Sequence, residues 1–243
     1  FMVDTFDKDI DIQLISDLHI QKNPYYSSKI FHFIIFWKNK HKYYISEKMI
    51  PMIKQIIKDD TKRFIYLYIS LDLETTLHAN IIIIDIKKKT IERFDPYGSS
   101  EKELDDFLEK KFKEIRGFNF LSTFDIMNIT SFQTISGEDD IRNKKIGDLG
   151  GFCLAWCIWY IELRINNNLN PKDLIKKTIK KLIINNTVFI DFIRNYANHL
   201  SDISKNFYLK SGINNKNIYN KILNDDDSIK IKKYILKKLK SLN

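Results

Sequence analysis

Four consecutive isoleucines at 81–84 set the first constraint on how this chain folds. A run that is apolar on both sides of the pleat suits a strand covered on both faces. The neighbouring segments supply its partners. Residues 63–71 are rich in β-branched and aromatic side chains and read as a strand. Residues 78–86 and 90–94 flank the lysine turn 87–89 and are expected to pair as a hairpin. Residues 30–37 and 43–46 read as another strand pair around a charged turn, and a helix is expected at 49–58. A second helix is expected at 100–116. Its apolar Leu104, Phe107, Leu108, Phe112 and Ile115 fall at helical spacing, and Gly117 stands just past its end. A strand at 118–124 and a polar loop at 134–151 come next. The pattern then turns helical: from 151–153 to about Arg164, from Pro171 to about Ile184, and from a Thr187 cap to about Lys205. Beyond 211 lie short amphipathic pieces with an acidic break at 225–227. A strand-rich middle followed by helices, with no internal repeat, predicts an α+β fold. The division expected is a main domain at 1–210 and a basic helical extension at 211–243.

Of the 243 residues, 44% are apolar and 13% aromatic, enough for a sizeable core. The formal charge is +9, and about two thirds of it comes from Asp202 onward, where ten Lys face four Asp. Such a tail is suited to nucleic acid, although no RNA-binding signature or zinc-ligand spacing accompanies it; a solvated helix is the plainer reading. The start is acidic and has no apolar core region, so no signal peptide is expected. No apolar run is long enough to span a bilayer, and no membrane contact is expected. The two cysteines, Cys153 and Cys157, lie one helical turn apart and could close only a trivial loop. They read as free thiols of an intracellular, cytoplasmic chain. No cofactor or metal is expected, and a monomer is.

Chemistry concentrates at Cys153. Gly147, Gly150 and Gly151, three of the seven glycines, lie just before it. Glycine permits the tight entry a helix needs there. A cysteine in the first turn faces unpaired backbone N–H groups, which favour thiolate and can also donate to an oxyanion. Cys157 has no such glycines and reads as core. A thiolate acting as nucleophile needs a base. Of five histidines, His78 alone stands at the end of the apolar strand, where a rigid sheet could hold it. The hairpin puts Asp95, in Arg93-Phe94-Asp95-Pro96-Tyr97-Gly98, at the same open end, where it could accept from His78 and fix its tautomer.

The order His78, Asp95, Gln133, Cys153 resembles that of the Ulp/SENP and adenovirus-protease-like cysteine peptidases. The strings His78-Ala79-Asn80, Arg93-Phe94-Asp95-Pro96-Tyr97-Gly98 and Gly150-Gly151-Phe152-Cys153, the last followed by Trp156 and Trp159-Tyr160, also look like Ulp-like proteins of giant viruses and intracellular microbes. The resemblance covers about residues 60–165. It implies a papain-like fold with a central mixed sheet, the nucleophile at a helix N-terminus and a helical C-terminal part. It also implies a cysteine peptidase of peptide or isopeptide bonds, with ubiquitin or a ubiquitin-like protein as substrate. Cys153 would be nucleophile, His78 base, Asp95 orienting residue and Gln133 oxyanion donor, with Asn143, Asp148 or backbone N–H groups as alternatives to Gln133. Tyr97 and Phe132 would wall a narrow substrate slot. Two departures stand out: Ala79 replaces the family's aromatic after the histidine, and Gln133 lies twenty residues before Cys153. Other readings are a viral maturation protease, an acetyltransferase using the same triad, and a non-catalytic binding module on a degenerate peptidase fold.

Overall fold

The isoleucine run lies in the fourth strand of a six-stranded sheet. The structure, a computed structural model, describes residues 32–59, 61–73, 76–98, 101–127, 131–138, 140–145, 151–213 and 225–240. In chain order the elements are β1 (Ile34–Asn39), β2 (Lys42–Tyr44), α1 (Met49–Ile57), β3 (Phe64–Asp72), β4 (Leu77–Asp85), β5 (Thr90–Phe94), α2 (Lys102–Phe112), β6 (Asn119–Leu121), α3 (Thr123–Ile126), α4 (Phe132–Ser136), α5 (Cys153–Ile165), α6 (Pro171–Ile184), α7 (Phe189–Lys210) and α8 (Asp225–Lys240). The chain is α+β, and it divides into two compact units, Phe1–Ile190 and Asp191–Asn243.

In the first unit the strand order is β2-β1-β3-β4-β5-β6. The β1–β3 and β5–β6 pairs are parallel and the other three antiparallel. Alternation along β4 explains the isoleucine run. Ile82 and Ile84 join Leu67, Ile69, Met49, Ile53, Leu104 and Leu108 in one core, under α1 and α2. Ile81 and Ile83 face the opposite side, where α5 packs along β4. All four are at most 4% exposed, and each contributes about 1.5–3 kcal/mol by burial.

Helix α5 is anchored on its face of the sheet by buried charge. Arg164 Nε donates to Glu92 at 2.7 Å and Nη2 to Asp85 at 3.3 Å, while the Tyr160 hydroxyl donates to Glu92 at 3.1 Å. Tyr160 also stacks on Phe94, 4.0 Å between ring centres.

Three expectations are corrected. The strand at 118–124 shortens to β6, because Ser122 accepts from the Asp125 N–H while Asp125 accepts from the Ser122 N–H. This reciprocal cap starts α3 instead. The polar loop is structured at its start, where α4, capped by Ser131, runs into it, and holds a 3₁₀ turn at Ile141–Asn143. The aspartates at 225–227 do not break a helix; they begin α8, where Asp226 and Asp227 meet the positive end of its dipole. In this second unit Phe207 of α7 packs edge-on against Tyr234 of α8 at 5.3 Å. Among the described residues no helix is long and apolar enough to cross a membrane.

Candidate functional site

The β4–β5 ladder runs from Asp85↔Thr90 to Ile81↔Phe94 and stops there. Beyond it β4 contributes His78, Ala79 and Asn80, and the chain after β5 turns at 95–98. Asp95 organises this turn. Its Oδ1 accepts from the Tyr97 N–H at 2.8 Å, and its carbonyl accepts from the Gly98 N–H at 2.9 Å. Gly98 has φ +69°, and a Cβ there would lie 2.7 Å from the Ser131 Cβ. Both facts require glycine. The Gln133 N–H donates to the Pro96 carbonyl at 3.0 Å and ties the turn to α4.

His78 Nε2 lies 2.8 Å from Asp95 Oδ1. On the other side Asp95 Oδ2 accepts from Arg93 Nη1 at 3.4 Å. The same guanidinium reaches Asn80 Oδ1 at 2.5 Å and grips Asp105 of α2 with two further bonds, at 2.6 and 3.0 Å. Asp95 is fully buried, and this fork fixes its orientation.

With Nε2 committed to Asp95, Nδ1 is the nitrogen left for the Cys153 thiol, which hydrogen-bonds the ring. Cys153 is the first residue of α5, two residues after Gly151 at φ +155°. Gly147, Asp148 and Gly150 lie outside the described residues. Burial opposes charge on both members of the pair, yet their contacts prevail. Bonds from His78 and from the backbone of Ala79 and Leu154 hold the thiol below its ordinary value. Asp95 and the sulfur push His78 up to about 9. Both shifts favour the proton on the imidazole and negative charge on the sulfur. Such a pair can attack an electrophilic carbon and return the proton to what leaves. Cys157 behaves oppositely: fully buried, it donates to the Ala79 carbonyl at 3.4 Å, and burial pushes its thiol well up. Tyr68 of β3 is near both cysteines, and burial first, then their charge, pushes its phenol up to about 12.

The structure therefore brings Cys153, His78 and Asp95 together. Tyr97, 48% exposed, stands edge-on to His78 with ring centres 6.2 Å apart. The other expected residues are placed differently. Phe132 is no slot wall: it is fully buried between Trp156, Trp159 and Phe94, at 4.9, 5.1 and 6.0 Å. Gln133 Nε2 donates to Glu138 at 3.0 Å, which makes it a brace rather than a free oxyanion donor. Asn143 donates to the Gly137 carbonyl. Glu138, Arg93 and Asn80 were not expected. The Arg93 role could have been read from its place near the end of β5, two residues before Asp95. Glu138 was hidden in a polar stretch that has no periodicity.

No protein family matches the chain, and neither does any solved structure. A protein of Acanthamoeba polyphaga mimivirus, named as an ankyrin repeat protein, is 34% identical over 183 residues, covering 68% of this chain. The chain spans about a quarter (24%) of that relative's length. The match is to a protein named for ankyrin repeats and not for a peptidase. It overturns the assignment to the Ulp/SENP and adenovirus-protease-like peptidases and, with it, the expectation of a cysteine peptidase.

Proposed function

We propose that this chain is a protein-binding module, carried on a papain-like architecture, whose contact surface surrounds Cys153 and His78. The carrying observation is apolar exposure at the site. Leu77 is 57% exposed, Tyr97 48% and Leu154 50%, and each lies within two residues of His78, Asp95 or Cys153. Large apolar side chains open to solvent on the segments that carry His78, Asp95 and Cys153, with Tyr97 edge-on to His78, suit an extended segment of another protein. The relative's name supports a binding role as well, since repeat proteins present extended binding surfaces. The six-stranded sheet here is a different architecture from stacked ankyrin helices, which fits a separate module within a longer protein. One N–H of the Gln133 amide and the Phe152 N–H are given to Glu138, which favours holding a partner over cleaving it.

Ubiquitin or a ubiquitin-like protein is the partner proposed, engaged through its extended C-terminal segment. The test is titration of the full chain against ubiquitin and a panel of ubiquitin-like proteins, followed by fluorescence anisotropy. Leu77→Ser, Tyr97→Ala and Leu154→Ser should each weaken binding by about 5–30-fold, as loss of about 1–2 kcal/mol at an anchor does. Unchanged affinity in all three variants would remove the surface from consideration. Cleavage of a tail by the wild type but not by Cys153→Ala would replace binding with turnover.

A further inference from the structure

We propose that Glu138 is the positioning residue of the Cys153 side chain. Its side chain collects four donors. On Oε1 it meets Trp156 Nε1 at 2.6 Å and the Ser136 hydroxyl at 3.0 Å. On Oε2 it meets Gln133 Nε2 at 3.0 Å and the Phe152 N–H at 3.1 Å. Glu138 is 8% exposed and Trp156 fully buried. Phe152 caps α5 and Trp156 lies one turn along it, so one carboxylate grips both ends of the turn that carries Cys153.

The geometry explains why the residue is an acid. Ser136 can rotate its hydroxyl and Gln133 can flip its amide, but an indole N–H and a backbone N–H can only donate. These two fixed donors sit on different oxygens. A glutamine at 138 would satisfy one and turn an N–H toward the other. The first turn of α5 would then shift, and with it the bonds that Leu154 and His78 make to the sulfur. Charge alone predicts the opposite. Taking a negative group away from a thiolate makes the thiolate easier to form, whereas loosening its donors makes it harder. The sign of the change separates the two roles.

The inference rests on Cys153 as the centre of the proposed contact surface, but its test needs no partner. Alkylation of Cys153 by iodoacetamide is followed by mass spectrometry from pH 5 to 10. The titratable groups around the sulfur are His78 on β4, Asp95 after β5, Tyr68 on β3 and Cys157 on α5, and all stay unchanged in the variants. Glu138→Gln should alkylate about tenfold more slowly at pH 7, with its profile moved to higher pH. Adding Trp156→Phe removes one fixed donor, lets the amide oxygen serve Phe152, and should restore the wild-type profile. Should Glu138→Gln alone not fold, two double variants carry the test. Glu138→Gln/Trp156→Phe keeps the Phe152 N–H met, and Glu138→Leu/Trp156→Phe leaves it unmet. Wild-type behaviour in the first and a tenfold loss in the second support positioning. A wild-type profile when the N–H is unmet, or a shift to lower pH, overturns it. Either result leaves the anisotropy test of the binding surface standing on its own.

Discussion

At the scale of single residues, the site turns on one shared proton. His78 is raised from 6.5 to about 9, so its contribution to stability is complete below pH 6.5 and is lost as pH rises through about 9. Cys153 is lowered, so its contribution is present above its ordinary value and is lost as pH falls through the folded one. The stability difference between wild type and Cys153→Ala should therefore narrow as pH falls through the lowered thiol value, in thermal melts run toward acid. A second expectation concerns Asp95, whose bond to Nε2 is the first of the contacts raising His78. Asp95→Asn should lower the His78 titration toward 6.5, read from its imidazole C–H resonance, and move Cys153 alkylation to higher pH. An unchanged titration would mean that the 2.8 Å contact does not govern the ring. Cys157 is the internal control, and should stay unlabelled while the protein is folded.

At the scale of elements, the position of α5 on the sheet is fixed at both ends, by Glu138 near Phe152 and by Arg164 on Glu92 and Asp85. Arg164→Met would leave the buried Glu92 without its cation and Asp85 with Arg63 at 3.7 Å, and should destabilise by about 3–5 kcal/mol in denaturant unfolding. Adding Glu92→Leu should recover part of that loss, because apolar replacement of a buried pair is often close to neutral. If the double variant is no better than the single one, the pair is not the source. Gly98→Ala tests the turn that presents Asp95: positive φ and a 2.7 Å approach to Ser131 should cost about 1–3 kcal/mol. The sequence exposed some of this and concealed the rest, for physical reasons. Period-two burial and a continuous isoleucine run marked β3, β4 and β5, and their register followed from the short turn at 87–89. That register made His78 and Asp95 neighbours on paper. The 131–145 region had no period to read, so α4 and Glu138 were invisible in it. Phe132 looked like a slot wall because adjacency to Gln133 says nothing about which way a short capped helix turns its ring.

At the scale of the whole molecule, the chain divides into two compact units between Ile190 and Asp191. Among the described residues, those that bond the Cys153 sulfur, and the core under α1 and α2, lie before Ile190. The lysine excess lies after it: ten Lys face four Asp from Asp202 onward. A chain ended at Ile190 should thus keep the wild-type preference for alkylating Cys153 over Cys157, together with the wild-type pH profile. The full chain should also bind a single-stranded oligonucleotide weakly at low salt and release it as salt rises, because contacts between lysines and phosphates release counterions. The shortened chain should lose that retention. These two readouts can part company. If the thiol profile changes on shortening, the second unit supports the site. If retention persists without the lysine-rich unit, basic residues of the first unit carry it, and the tail is the solvated helix that its charge alone would have predicted.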